Sequence, residues 1–332
     1  MRKVIALLLV ASAIVTVLFL NVDKKNQSAN DYVAMIKKCT SKVNMDIPEQ
    51  DAIEASAIDC VSLVLEDAIR NEKARAVMPF LKEMNKKSGF ARICHIASHR
   101  AGIKAFNKNE SLIKQHDNVN SITCDSGMYH GFWEAVGYSK PSLEVWTELT
   151  SWCESQGNIV SDAGNCGDAA GHAAYDATKD QHAAVDLVCY LFSADVLISE
   201  CVEGVLMQRF IPGSGSPGDD PLPPLDQLHE LCSVLKDKKQ SIAKGCFKGV
   251  GWLLAQKAKP DNEKLLSESV KVAEYTCALL GRGKNDCADR FYETMKTRTF
   301  IKSQLNEGVC NERDEYFYRK CKDFVTFVNA NM

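Results

Sequence analysis

Four of the seven histidines carry a second metal-ligand type four residues downstream: His95 with His99, His130 with Glu134, His172 with Asp176, and His182 with Asp186. His, Asp and Glu make up 50 of 332 residues, so about one such pair is expected among seven histidines by chance. Positions four apart share a helix face, which is how helices present two donors to one ion. Two of the pairs also share an offset. His130 and His172 each stand six residues after a cysteine, Cys124 and Cys166, and Glu134 and Asp176 each stand ten after. At the same offset from Cys201 and Cys246 stand Met207 and Trp252, which are apolar, so this position is expected to face inward. Equivalent positions of neighbouring repeats lie side by side. His95, His99, His130, Glu134, His172 and Asp176 are therefore expected to converge on one internal site. Imidazole with carboxylate suits zinc or iron, and imidazole also suits copper. Six donors leave room for two ions, and an open coordination position would permit hydrolytic or oxygen chemistry.

The alternative for the same residues is plainer. A buried histidine or carboxylate must be paired, and each pair can hydrogen-bond across its own helix turn or to backbone. His116 and His229 lie in polar surroundings and read as surface residues, and His182 with Asp186 opens a different helix. No other chemistry is signalled. The chain has no phosphate-binding glycine loop, no His-Glu-x2-His and no Gly-x-Ser-x-Gly. Cys94-His95 lacks the preceding Cys-x-x of a haem attachment site.

The elements that must position these side chains are organised by cysteines. Ten of the fourteen form short-range pairs between residues 153 and 321: Cys153 with Cys166, Cys189 with Cys201, Cys232 with Cys246, Cys277 with Cys287, and Cys310 with Cys321. The second members recur every 34 to 45 residues, the size of a helical-hairpin repeat. Apolar residues at Ile53, Ala57, Val61, Leu63 and Leu65 follow a helical period, and 79–87 and 90–106 read as helices too. No alternating strand or Asn-Gly hairpin turn appears. The fold class is all-α. In each unit one helix ends near a cysteine, as in 144–153 or 182–191. After a polar turn, a second helix carries the partner cysteine near its start, as in 166–178 or 201–210. Cys39, Cys60, Cys94 and Cys124 allow three pairings, of which Cys39 with Cys60 and Cys94 with Cys124 keep to nearest neighbours. Gly127, Gly204 and Gly249 each follow a cysteine by three residues and mark close helix packing.

These paired cysteines and Cys-x2-Gly steps resemble the disulfide-stapled Sel1-like proteins, relatives of tetratricopeptide arrays, over residues 121–332. The spacing within pairs is longer than in that family, and its Gly-rich loop between repeats is absent. The resemblance implies a superhelical, α-solenoid-like binding scaffold of antiparallel hairpins and transfers no catalytic residue. Residues 31–120 form a separate helical region. Five of the nine prolines lie in 212–224, which cannot be helical and reads as an insertion between repeats.

Fourteen cysteines without a Cys-x2-Cys knuckle point to disulfides, hence to an oxidising, extracytoplasmic compartment. Arg2 and Lys3 precede an apolar run over 4–20, which reads as an uncleaved signal-anchor through the membrane or as a signal peptide, with 21–30 as a polar linker. A net charge of -3 gives no footprint for nucleic acid. The leading expectation is an exported, membrane-anchored helical-repeat scaffold that binds a protein or peptide and is not an enzyme. The second is a metal-binding protein or metalloenzyme using the histidine-bearing helices.

Overall fold

The computed structural model describes residues 28–43, 51–107, 124, 127–155, 160–210, 221–233, 235, 238–258, 263–298, 305–310 and 314–330. These residues are mostly helical, with no strand among them. The α-helices are α1 (Ala29–Cys39), α2 (Asp51–Arg70), α3 (Ala74–Met84), α4 (Ser88–Ala105), α5 (Gly127–Tyr138), α6 (Leu143–Ser155), α7 (Val160–Thr178), α8 (Gln181–Leu187), α9 (Asp195–Phe210), α10 (Gln240–Lys257), α11 (Glu263–Leu279), α12 (Lys284–Arg298) and α13 (Glu315–Ala330). Short 3-10 turns cover Cys189–Leu191, Leu225–Cys232, Gly281–Gly283 and Glu307–Val309. No helix among the described residues is long and apolar enough to cross a membrane. The apolar run at 4–20 and His116 lie outside the described residues, as does most of the proline-rich insertion. Its last residues, 221–224, are non-helical.

Local chemistry starts some of these helices. Ser28 accepts from the Asp31 backbone N–H while the Asp31 carboxylate accepts from Ser28, a reciprocal cap on α1. Asp180 accepts from the Ala183 N–H at the start of α8. Two boundaries differ from the sequence reading. Pro79 lies inside α3, not at its start, because α3 begins at Ala74. The cysteine-bearing second helices begin earlier than their cysteines: Cys166 sits in α7 from Val160, and Cys201 in α9 from Asp195. Residues preceding those cysteines carry no proline and extend the turns backward at no steric cost.

Seven disulfides staple the chain and leave no cysteine free. The five ladder pairs form, and the remaining four cysteines join as Cys39–Cys60 and Cys94–Cys124. Every Cα–Cα separation lies between 5.2 and 5.9 Å, inside the range a disulfide spans without moving backbone. Such a bond network places the described body in an oxidising environment.

One succession of helices packs in chain order. α2 contacts α4, α4 contacts α5, α5 contacts α7, α7 contacts α9, α9 contacts α10, and α10 contacts α12. Glycine allows the close approach. A Cβ on Gly131 of α5 would run into the backbone carbonyl of His99 on α4, and one on Gly204 of α9 into that of Asp168 on α7. Two apolar clusters fill the interior. One runs from Tyr32 to Cys124 and the other from Met128 to Val328, and Ile69 and Met78 pack against both. The junction between them falls between α4 and α5, where the candidate site is built.

Candidate metal centre

Three successive packed helices deliver the site. α4 presents His95 and His99 one turn apart, α5 presents His130 and Glu134, and α7 presents Asp168 and His172. The i,i+4 spacing puts each pair on one face, and the tight α4–α5 contact at Gly131 brings those faces together. The rings of His95, His99 and His130 lie with centroids 5.7 to 6.1 Å apart, and His130 stacks on His172 at 5.3 Å.

The donors form a triangle with three capped edges. His99, His130 and His172 are its corners. His95 caps the edge between His99 and His130, Glu134 the edge between His99 and His172, and Asp168 the edge between His130 and His172. In each of these trios one ligand atom per residue lies within 4.8 Å of the other two. Glu134 and His99 are wholly buried, and His172 and His130 nearly so. His95 and Asp168 are partly exposed, so solvent reaches the cluster from their side.

The separations are too long for hydrogen bonds. His99 Nε2 lies 3.4 Å from Glu134 Oε1, and His130 Nε2 lies 3.4 Å from Asp168 Oδ2. His172 Nδ1 is 3.6 Å from Glu134 Oε1, and its Nε2 is 3.7 Å from Asp168 Oδ2. A hydrogen bond closes to about 2.7–3.2 Å. Both ring nitrogens of His99, Nε2 of His130, Nε2 of His172 and both oxygens of Glu134 are buried with no hydrogen-bond partner. Leaving one such group unsatisfied costs about 1–3 kcal/mol.

Electrostatics follow from burial and crowding. Burial, with neighbouring imidazoles, pushes His99 and His130 well below the ordinary histidine range. Burial also presses His172 down, but Asp168, Glu134 and Gln208 outweigh it and lift the group to about 9. Burial raises Glu134. The helix beyond adds a charged flank. Glu203 of α9, wholly buried, pairs with Arg290 of α12 and with Lys248 of α10, and Lys248 also pairs with Glu200. Burial and the Glu203 charge raise Glu200 to about 7.

Two hydrogen bonds come from outside the triangle. His95 Nδ1 is 3.1 Å from the Cys124 carbonyl, and His172 Nδ1 is 2.7 Å from Gln208 Oε1. A proton donated through Nδ1 leaves Nε2 as the ligating atom, the usual way an outer partner orients an imidazole.

Asp176, expected among the ligands, stands outside these trios. Its Oδ1 accepts from Lys179 Nζ at 2.9 Å and its Oδ2 from Gln208 Nε2 at 2.8 Å. It lies one turn beyond His172, where α7 meets the α9 amide, not the imidazoles of α4 and α5. Asp168 takes a place in the cluster that the sequence reading did not assign. The signal for it was four residues before His172, the same helical spacing read in the opposite direction. Gln208 carried no signal, since amides are not typical metal ligands. His182 and His229 are elsewhere, and His229 Nδ1 turns to the Asp226 carbonyl.

Comparison with known proteins finds no match: no protein-family model, no curated protein and no solved structure resembles this chain. The likeness to Sel1-like arrays rests on cysteine and glycine spacing alone.

Proposed function

We propose that this chain is an exported metal-binding protein whose helical body holds a histidine–carboxylate metal centre between α4, α5 and α7. The observation that carries this reading is the spacing of buried, unpartnered donors. An ion about 2.0–2.2 Å from each of its ligands holds tetrahedral neighbours about 3.3–3.6 Å apart. The two 3.4 Å contacts between imidazole Nε2 atoms and carboxylate oxygens match that edge, and the 3.7 Å between His172 Nε2 and Asp168 Oδ2 nearly does. A bound cation also removes the cost of burying these groups without partners.

The donor set selects the ion. Every cysteine is in a disulfide, so thiolate ligation is unavailable and the candidates are zinc, iron and copper held by imidazole and carboxylate. Six donors around three edges suit two ions. In such a centre the metal supplies Lewis acidity or a bound, activated water, or redox chemistry if it is iron or copper. His99 and Glu134 would hold the enclosed edge, and His172 would turn its Nε2 to the side of Asp168. His130 and Asp168, with His95, line the side that solvent reaches, where a substrate can approach.

The surrounding architecture supports an α-solenoid-like array, since helices α2, α4, α5, α7, α9, α10 and α12 pack in chain order. An anchor at residues 1–20 and a protein or peptide partner belong to the same proposal and rest on the sequence alone. The reading is tested by metal analysis of protein exported to an oxidising compartment and purified without chelator. Bound zinc, iron or copper that is lost in His130→Ala, with all seven disulfides retained, supports it. A metal-free protein that takes up none of the three on titration overturns it.

A further inference from the structure

A hydrogen-bond chain leads out of the cluster through residues that ligate nothing. Lys179 Nζ meets Asp176 Oδ1 at 2.9 Å, Gln208 Nε2 meets Asp176 Oδ2 at 2.8 Å, and His172 Nδ1 meets Gln208 Oε1 at 2.7 Å. Gln208 and Asp176 are nearly inaccessible, so water does not replace these bonds. Each link has a polarity that the next must obey. The lysine ammonium only donates, so it faces an oxygen. An ionised Asp176 only accepts, so the amide must turn its NH2 group toward it. The amide carbonyl then faces His172, and the imidazole must carry its proton on Nδ1. That leaves Nε2, facing Asp168, as the nitrogen that gives up its proton to an ion.

We propose that Gln208 is the positioning residue of the metal centre: with Asp176 and Lys179 it fixes His172 as the Nδ1–H tautomer and so presents Nε2 to the ion. This inference rests on the metal-centre reading, but it makes a separate statement about a proton in the metal-free protein. It also gives Asp176 a role other than ligation. Asp176 sets the direction of the amide.

The sharpest variant is Asp176→Asn, which keeps the shape and reverses the polarity. Lys179 holds the oxygen of the new amide, whose NH2 group then faces Gln208. Gln208 must turn its carbonyl toward residue 176 and its own NH2 group toward His172. Nδ1 becomes an acceptor, the proton moves to Nε2, and the ligating atom is blocked. Gln208→Met removes the acceptor altogether, while Gln208→Glu, protonated on the oxygen that faces Asp176, retains one.

The experiment uses the full chain labelled with 15N-histidine, with two-bond proton–nitrogen correlation spectra recorded before and after zinc is added. In the metal-free wild type, His172 is expected to carry hydrogen on Nδ1, and zinc is expected to bind at Nε2 with Nδ1–H kept. Asp176→Asn is expected to leave Nδ1 unprotonated and Nε2 protonated. Asp176→Asn and Gln208→Met are expected to weaken zinc binding about 10–100-fold, the usual effect of losing an outer-shell partner. Gln208→Glu is expected to recover most of that loss. A wild-type His172 with Nδ1 unprotonated, or zinc bound as tightly by Gln208→Met and Asp176→Asn as by the wild type, overturns the proposal. Wild-type protein that shows the Nδ1–H tautomer but takes up no zinc overturns the metal centre and supports the hydrogen-bond assignment. Retained helical circular dichroism in Asp176→Asn separates these outcomes from misfolding.

Discussion

At the scale of single residues, His99 states the problem most sharply. It is wholly buried, and neither ring nitrogen has a hydrogen-bond partner. A side chain kept only for packing has no reason to be an imidazole there. Replacing it by an apolar group of similar size removes a burial cost, so His99→Leu is expected to leave the metal-free protein at least as stable in urea. The same change is expected to weaken zinc binding by at least about tenfold, or 1.4 kcal/mol. A variant that is destabilised and binds zinc normally would make His99 a structural residue.

His172 supplies the pH dependence. Its folded value, about 9, lies above the ordinary 6.5, so its contribution is complete below about 6.5 and is lost as the pH rises through 9. Burial raises Glu134, which acts in the same direction above its ordinary value. Urea denaturation of the chelator-treated protein is therefore expected to show stability falling between about pH 7.5 and 9. Zinc affinity is expected to move the opposite way, rising by up to about tenfold per pH unit as the ion displaces the Nε2 proton. His99 and His130, which burial keeps neutral in the fold, oppose the fall in stability only near pH 6.5, where the unfolded chain still protonates them, and add nothing to it well above that value. Flat curves in both measurements would remove the His172 charge from the account.

Most of the site residues were legible because they obey helix periodicity. His95 with His99 and His130 with Glu134 could be read from spacing four, and His172 from its shared offset to a cysteine. Asp176 obeys the same rule and lies one turn too far along α7. Spacing fixes the face of a helix but not the depth at which the next helix crosses it. Asp168 satisfies the rule from the N-terminal side of His172. Gln208 is one residue past Met207, at the inward position of the next unit, and only the packing of α7 on α9 gives it meaning.

At the scale of elements, glycine and cysteine set how close and in what register the helices meet. The five ladder disulfides followed from proximity in sequence, whereas helix starts were misplaced because a cysteine marks the crossing point and not the cap. Gly131→Ala tests the crossing. Its methyl group would collide with the His99 carbonyl, which is backbone and cannot rotate away. Overpacking of this kind costs about 1–3 kcal/mol, seen as a lower urea midpoint. Because α4 and α5 must separate to admit the methyl group, zinc binding is expected to weaken with it. An unchanged midpoint together with unchanged affinity would show that the two helices do not approach as described.

At the scale of the whole molecule, the disulfides and the proposed metal centre are two supports of different kinds. Each ladder bond closes a loop of 10 to 14 residues, worth about 3 kcal/mol on the chain-entropy model. The histidine–carboxylate cluster instead spans α4, at the edge of one apolar cluster, and α5 and α7 in the other. The disulfides constrain neighbours in sequence, while an ion would join the two halves of the interior. The fold class was legible throughout, because a helical period and a cysteine ladder are local signals. The joining of the halves was not, because it depends on how glycine-bearing faces cross.

The measurement that bears most directly on this account is elemental analysis of the protein exported to an oxidising compartment, combined with X-ray absorption at the edge of whatever metal it carries. The account expects up to two ions of zinc, iron or copper per chain, with a first shell of nitrogen and oxygen near 2.0–2.2 Å and no sulfur. An intact, fully disulfide-bonded protein that carries no such ion and takes up none on titration would contradict it, as would a bound metal whose first shell is sulfur.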